Sequence, residues 1–466
     1  METQNEKWLC KASDQEKLHE ISHKRGSFLL AYQLSLSSIQ PLQENDVKTA
    51  LIHLQRKCPA FRICFGQRDG QTWLRYRDTE DIDFKMVKDV GPEYIRDLLQ
   101  IHRYNSEEGP LWCARLLLDT NADSLALDKD LTYTSQLFIG VHHAITDGLS
   151  MMKVCGGFIR ILNDVMANKP VCDEERIGYF VSDTKTEELV SVKMTAIQND
   201  PSLRQELISR AEDKGTGIPL LLTVEPPPEG EDKTCNLTHV LDNDTTKRFI
   251  SRCKAEGVSI HSAFAALADA SIVTSLVENN HIQNSYKICN GHIINLRRYW
   301  TGDNSDAMGC HARGPLNLWA DVPRDLSGKF WDFARTLHQD LHQHLENQSI
   351  LFQMAYIKLC SKKDQSYDDI FYQANPMQID CVFSNLGDVT NLLTDDGPYV
   401  KAFLLQRQLS LHRTDIKNFA YFFHSFRGRL ILNLLYNSKY VTEAVVQQHC
   451  SQIFDTMEQV INGTLH

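Results

Sequence analysis

The stretch Thr134–Gly148, TSQLFIGVHHAITDG, decides how this sequence is read. An apolar, β-rich run ends in His142 and His143, and beyond the spacer Ala144–Thr146 stand Asp147 and Gly148. Behind them, LSMMKVCGGFIRILNDVM places Leu149, Met152, Cys155, Phe158, Ile159, Leu162 and Val165 at helical spacing. The pattern predicts a buried strand that delivers two imidazoles into a turn, with a helix leaving that turn. A strand fixes such a group and a loop exposes it, which suits a general base. Plainer readings exist for each residue. Asp147 is a good helix N-cap, Gly148 is ordinary helix-entry punctuation, and paired histidines in a turn are more often structural than catalytic. The weight comes from four specified residues falling together on a strand–loop–helix.

The pattern H-H-x-x-x-D-G resembles the signature of the chloramphenicol-acetyltransferase-like superfamily, which includes CoA-dependent alcohol acyltransferases and the condensation domains of peptide synthetases. The resemblance implies that His143 is the base, that His142 and Gly148 support it, and that Asp147 orients the loop without touching substrate. Pro110-Leu111-Trp112 with Ala114-Arg115 matches the strand preceding the motif strand in that pattern. The plant-type members carry an Asp-Phe-Gly-Trp-Gly segment that this sequence lacks, its nearest candidate being SNLGD. The likeness is therefore to the condensation and microbial alcohol-acetyltransferase branches.

Composition bounds the class. At 466 residues, with 42% hydrophobic and 9% aromatic content, the chain suits a globular protein of several domains. We read no apolar run of about 18 residues, hence no membrane span, and the charged first residues lack a signal-peptide core. Thirteen scattered cysteines without a C-x-x-C read as thiols in a reducing cytoplasm. A net charge of −11 argues against a general nucleic-acid binder.

Along the chain, a polar N-terminal helix precedes a first strand within Ser27–Leu36, a helix ending before Pro59, three short strands, a helix from Pro92 and a strand within 109–118. Residues 170–235 are charged and partly helical and end in the Pro-rich TVEPPPEGEDKT, an inter-lobe connection. The second half restarts with a strand, a helix capped by Asp244 or Thr245, an alanine-rich helix after His261, and paired strands 286–300 and 308–322. The run 401–437 reads as one β-meander turning at Arg427-Gly428. No regular βαβ rhythm is present, so mixed sheets with flanking helices are expected. The fold class expected is α+β (mixed α/β). The resemblance sharpens it to two such lobes with a tunnel between them, bounded as 1–185, a crossover 186–235, and 236–466.

Acyl transfer to an alcohol needs a base, donors for the oxyanion and substrates held in line. A neutral histidine is a natural base near working pH. A buried Asp147 needs a cationic partner, and the resemblance points to Arg297 of Asn295-Leu296-Arg297; the plain reading is a surface Arg-Arg pair with Arg298. Ser384 and Asn385, in the strand end SNLG, are candidates for oxyanion or acceptor contacts, or simply end a strand. Gly309-Cys310-His311 lies near the tunnel by resemblance, and His311 is not expected to be catalytic. His338 and His342 stand one helical turn apart without the Glu of a zinc protease motif, so a solvated face is expected; His261 reads as a cap-region residue. Phosphate-loop, dinucleotide and serine-elbow motifs are absent from the sequence, and no metal is expected.

These readings converge on an acyltransferase moving an acyl group, acetyl by preference, from acyl-CoA to the hydroxyl of a small-molecule acceptor. Attack is direct, because no nucleophilic Ser or Cys is evident beside the base, and a monomer is expected. A free-standing condensation-type enzyme acting on a carrier-protein thioester, and a non-catalytic ligand-binding member of the fold, are the alternatives.

Overall fold

The computed structural model describes residues 8–118, 131–212, 232–360, 379–393, 397–410 and 419–465. The Pro-rich Pro226–Pro228 and the loop 119–130 lie outside the described residues. In chain order the main elements begin with β1 (Trp8–Lys11), α1 (Asp14–Arg25), β2 (Leu29–Ser38), α2 (Glu44–Lys57), β3 (Ile63–Arg68), β4 (Gln71–Tyr76), β5 (Asp83–Val87), α3 (Pro92–Gln100), β6 (Trp112–Leu118), β7 (Tyr133–His142) and α4 (Gly148–Met166). There follow α5 (Thr184–Asn199), α6 (Pro201–Glu212), β8 (Thr234–Val240), α7 (Asn243–Ala255), α8 (Ile260–Glu278), β9 (Ser285–Asn295), β10 (Ala312–Pro323), α9 (Phe330–Glu346) and α10 (Ser349–Cys360). The chain closes with β11 (Cys381–Asp388), β12 (Val400–Leu409), β13 (Phe419–Phe426), β14 (Arg429–Asn437) and α11 (Glu443–Asn462).

Two compact units result, and they are not consecutive in sequence. The first comprises 1–185, 300–311 and 388–413; the second comprises 186–299, 312–387 and 414–466. The first stretch of the first unit ends at Lys185, and two later segments return to that unit. Residues 186–212, read from sequence as part of a separate crossover, cluster with the second unit.

In the first unit, a five-stranded sheet runs β12-β2-β7-β6-β5, and a smaller one runs β1-β4-β3. β7 is central: Leu29 pairs with His142 on one side and Trp112 with Val141 on the other. Both faces of its C-terminal half are buried, so the strand reads as a continuous apolar run rather than an alternating one. α1 begins with a reciprocal capping box, in which Glu16 N–H donates to Ser13 Oγ at 3.2 Å and Ser13 N–H donates to Glu16 Oε2 at 2.7 Å. It ends at Gly26, whose φ of 90° suits glycine in a left-handed cap.

The expected single meander is corrected here. β12 pairs along the length of β2, from Val400 opposite Ser38 to Leu409 opposite Leu30, in the first unit. Only β13 and β14 form a hairpin, in the second. Hydrophobic alternation identifies a strand but carries no record of its partner. The turn at Arg427-Gly428 stands where expected: both residues have positive φ, 52° and 74°, the geometry of a tight hairpin turn.

The second unit is built on a six-stranded sheet ordered β10-β9-β11-β13-β14-β8. β9 and β10 pair antiparallel, β9 and β11 parallel. The alanine-rich α8 packs against α9 and α11, and Phe264, Tyr421, Phe423 and Ile453 share its core. By length and composition α8 is apolar enough to cross a membrane, yet 72% of its apolar window is buried inside the protein, the placement of a core helix. The cap of α7 is Asp242, whose carboxylate accepts Thr245 N–H at 2.8 Å, and not Asp244 or Thr245 as expected. The helix starts earlier because Asp242, still extended, already presents its side chain to the first turn.

Candidate active site

The end of β7 fixes His142 by two hydrogen bonds of opposite sense. Its Nδ1 accepts the Ala144 N–H at 3.1 Å, and its Nε2 lies 3.1 Å from Glu20 Oε2 on α1. A backbone N–H only donates and a carboxylate only accepts, so the proton sits on Nε2. Both nitrogens are thereby engaged, and the ring is fully buried. Glu20 also accepts from Ser106 Oγ at 2.7 Å and pairs with Lys24 at 3.0 Å. Burial pushes the Glu20 carboxyl upward, but the bonds from His142, Ser106 and Lys24 outweigh it and bring the group down to about 2. Beside them, His23 accepts the Tyr104 N–H at 3.1 Å; burial first, then the neighbouring His142, pushes it down to about 3.

His143 opens a short 3₁₀ turn and is half-buried. Its Nδ1 lies 3.1 Å from the Thr146 carbonyl oxygen. A carbonyl accepts only, so Nδ1 carries the hydrogen and Nε2 is the acceptor nitrogen. This is the tautomer a general base requires.

Asp147 is buried at 1% exposure and caps α4. Its Oδ1 accepts the Ser150 N–H at 2.9 Å, and its Oδ2 accepts the His311 N–H at 2.9 Å. Ser150 Oγ completes the stitch, donating to the Gly309 carbonyl at 3.1 Å and lying 3.2 Å from Gly309 N. Asp147 is therefore the cap of α4 through one oxygen, and through the other it ties the segment 309–311 to the mouth of that helix.

That segment delivers Cys310, to which the sequence reading gave no role. Cys310 Sγ lies 3.3 Å from His143 Nδ1 and 3.4 Å from His19 Nε2. The expectation that no Cys stands beside the base is corrected. Cys310 is distant from His143 in sequence, and only the return of residues 300–311 to the first unit brings it there. His19 stacks on His143, ring centroids 4.3 Å apart and 12° from parallel, and its Nε2 accepts from Gln15 at 2.8 Å. Neither His19 nor Glu20 had a motif to announce it; the capping box Ser13–Glu16 was the one readable signal for the helix that carries them.

Solved structures match this chain over nearly its full length, whereas no family model and no curated protein matches its sequence. The trichothecene 15-O-acetyltransferase of Fusarium sporotrichioides aligns with a TM-score of 0.69 at 14% identity, covering 96% of this chain and 94% of that one. The first condensation domain of the CDA synthetase aligns at 0.68 and 11%, covering 98% and 97%. The fold is chloramphenicol-acetyltransferase-like. A starter condensation domain of rhizomide synthetase, a mutant bound to C8-CoA, shares it at 0.61 and 11% identity, covering 98% and 96%. At such identities the likeness is one of fold.

On this fold, His142, His143, Asp147 and Gly148 come together in the first unit. Arg297, Ser384 and Asn385 belong to the second. Arg297 follows β9, is 7% exposed, and bonds Asn295 Oδ1 through its backbone N–H and its guanidinium, each at 3.2 Å. It is not half of a surface Arg-Arg pair: Arg298 is exposed, Arg297 is not. Ser384 and Asn385 are half-buried on β11, and Asn385 Oδ1 accepts the Gly387 N–H at 2.8 Å, the turn-forming role open to Asn. His338 is not on a solvated face either, since its Nδ1 accepts the Ser259 N–H at 3.3 Å; His342 is exposed. His261 lies in the cap region of α8, as expected, beside the cap Ser259, and bonds His292 at 2.8 Å.

Proposed function

We propose that this protein is an acyltransferase, moving an acyl group, acetyl in the first instance, from acyl-CoA to the hydroxyl of a small-molecule acceptor. The observation that carries the reading is the His143 Nδ1–Thr146 carbonyl bond at 3.1 Å, which sets Nε2 as the proton acceptor at the end of the central strand. His143 Nε2 takes the acceptor's hydroxyl proton as the oxygen attacks the thioester carbonyl. The tetrahedral intermediate collapses with loss of the thiolate, which is protonated as CoA leaves. His142 and Asp147 act on the turn, not on the substrate. Support comes from the fold, which a 15-O-acetyltransferase and a C8-CoA-bound condensation domain share.

We read Cys310 as outside the chemistry. The His143 nitrogen nearest to it bears a hydrogen and cannot accept the thiol proton, and the His19 Nε2 3.4 Å away is engaged by Gln15. No disulfide joins any of the thirteen cysteines, which suits the cytoplasmic setting we infer. Thiol release from acetyl-CoA with a panel of alcohols and amines tests the reading. His143→Ala is expected to lose about 10²–10⁴-fold in rate. Wild-type turnover in that variant, or a trapped acyl-protein adduct, refutes the mechanism. Turnover only with a carrier-bound donor moves the reading to condensation, and CoA binding without product across the panel moves it to a ligand-binding protein.

A further inference from the structure

His19, His143 and Cys310 converge as no requirement of the fold dictates. They arrive from α1, from the turn after β7 and from the segment 300–311, and their side-chain donor atoms all lie within 4.8 Å of one another. We infer that this cluster is a binding site for a soft divalent transition metal, zinc by preference, and that occupancy and catalysis exclude each other.

The distances carry the first half. Zinc binds thiolate sulfur at about 2.3 Å and imidazole nitrogen at about 2.0–2.1 Å, so a tetrahedral ion holds a sulfur and a nitrogen ligand about 3.5 Å apart. Here Cys310 Sγ stands 3.3 Å from His143 Nδ1 and 3.4 Å from His19 Nε2. The donor atoms are already close enough, and ligation requires the His19 and His143 rings, now stacked 12° from parallel, to turn so that both nitrogens face one ion. The donor set, two imidazoles and a thiolate, is of the type zinc takes, with its fourth position open to water. His19 Nε2 carries no hydrogen, because Gln15 donates to it at 2.8 Å, and the ion takes the place of that donor. The segment bearing Cys310 is anchored by Asp147 and Ser150 on both sides of the cysteine.

The second half follows from protons and rests on the role proposed for His143. Binding expels the Cys310 thiol proton. His143 Nδ1 gives up the Thr146 carbonyl and faces the ion, and the single ring proton moves from Nδ1 to Nε2. A nitrogen that carries a proton cannot accept the acceptor's hydroxyl proton. The ion thus switches His143 from base to ligand without entering the reaction.

Cobalt(II) provides a readout independent of activity. Titrated into the reduced, full-length protein, it is expected to bind one equivalent with a thiolate-to-cobalt charge-transfer band and tetrahedral visible bands, displaced by zinc. Cys310→Ser is expected to lose the charge-transfer band, and His19→Gln to weaken binding by about 10-fold or more; far-ultraviolet circular dichroism reports that both variants fold. Bands that persist in Cys310→Ser place the ion on other thiols and overturn the site, as does the absence of stoichiometric binding in the wild type. In the thiol-release assay, zinc is expected to inhibit the wild type and to lose that inhibition in Cys310→Ser. Cys310-dependent cobalt binding to a protein that transfers no acyl group upholds the site and refutes the proposed function. Cys310-dependent binding with turnover undiminished by zinc overturns the exclusion.

Discussion

Replacing Asp147 separates the two jobs its carboxylate holds. Oδ1 accepts the first-turn N–H of Ser150, and Oδ2 accepts the buried N–H of His311, each at 2.9 Å. Loss of an N-cap costs about 1 kcal/mol, and a buried backbone donor left unsatisfied costs about 1–3 kcal/mol. Asp147→Ala removes both acceptors and is expected to destabilise by about 2–4 kcal/mol. Asp147→Asn keeps one oxygen and turns the other into an NH₂ that faces a donor. It is expected to cost about 1–3 kcal/mol, because Asn is itself a good cap and the amide turns its oxygen to one N–H only. Urea unfolding at pH 7, followed by fluorescence and circular dichroism together, measures the difference. On the proposed function, freeing residues 309–311 also disturbs the surroundings of His143, and a misplacement of this kind is expected to reduce turnover by about 10²-fold. If Asp147→Asn unfolds within about 0.5 kcal/mol of wild type, the double stitch contributes nothing and this account of the motif is wrong.

Acid is expected to destabilise the protein through histidines buried as neutral rings. Burial holds His23 in the first unit and His449 in the second at about 3. The unfolded chain takes up protons below about pH 6.5 while these folded sites wait until about 3, so stability falls as pH drops through that window, by about 2 kcal/mol per group at pH 5. His449, between Ser271 Oγ at 2.9 Å and Tyr421 Oη at 2.7 Å, gives the check: His449→Gln should flatten the slope of urea stability between pH 6 and 4 by roughly 1.3 kcal/mol per pH unit, and an unchanged slope refutes the assignment. Gly156 on α4 packs so close to the 390–393 turn that an added Cβ would stand 2.0 Å from the Leu392 carbonyl oxygen. A backbone atom cannot swing aside, so Gly156→Ala is expected to lose about 1–3 kcal/mol in thermal or urea unfolding despite alanine's better helix propensity; a stabilised variant would refute that packing.

What the sequence disclosed was whatever is written in consecutive residues. The strand–turn–helix around His142 to Gly148, the hairpin at Arg427-Gly428 and the alanine-rich α8 each carry their own local pattern, of period, turn chemistry or composition. What stayed hidden was partnership across the chain. Nothing in KAFLLQRQL says that it pairs with β2 rather than with the hairpin after it, because both choices bury the same side chains. The contact of Cys310 with His19 and His143 was illegible for the same reason: that neighbourhood exists only once Asp147 and Ser150 have captured the residues around it. Arg297 shows a further limit, since sequence offered a charge at a strand end and only the fold told burial from exposure.

The adjacency of the two histidines gains its meaning from α1. Successive residues at a strand end point to opposite sides, so one buried neighbour cannot ordinarily hold both. On a helix, consecutive positions diverge by about 100°, and His19 and Glu20 use that divergence: His19 stacks on His143 while Glu20 takes the Nε2 hydrogen of His142. One turn of α1 thus grips both motif residues, by contact chemistries that are not interchangeable. A slip of α1 by one residue would present Leu18 and His19, or Glu20 and Ile21, in their place, and neither pair supplies a ring for His143 together with a carboxylate for His142. The register of α1 is set by features that touch neither histidine, the Ser13–Glu16 capping box at one end and the left-handed Gly26 at the other. The placement of the candidate base therefore depends on the ends of a helix as much as on the motif itself.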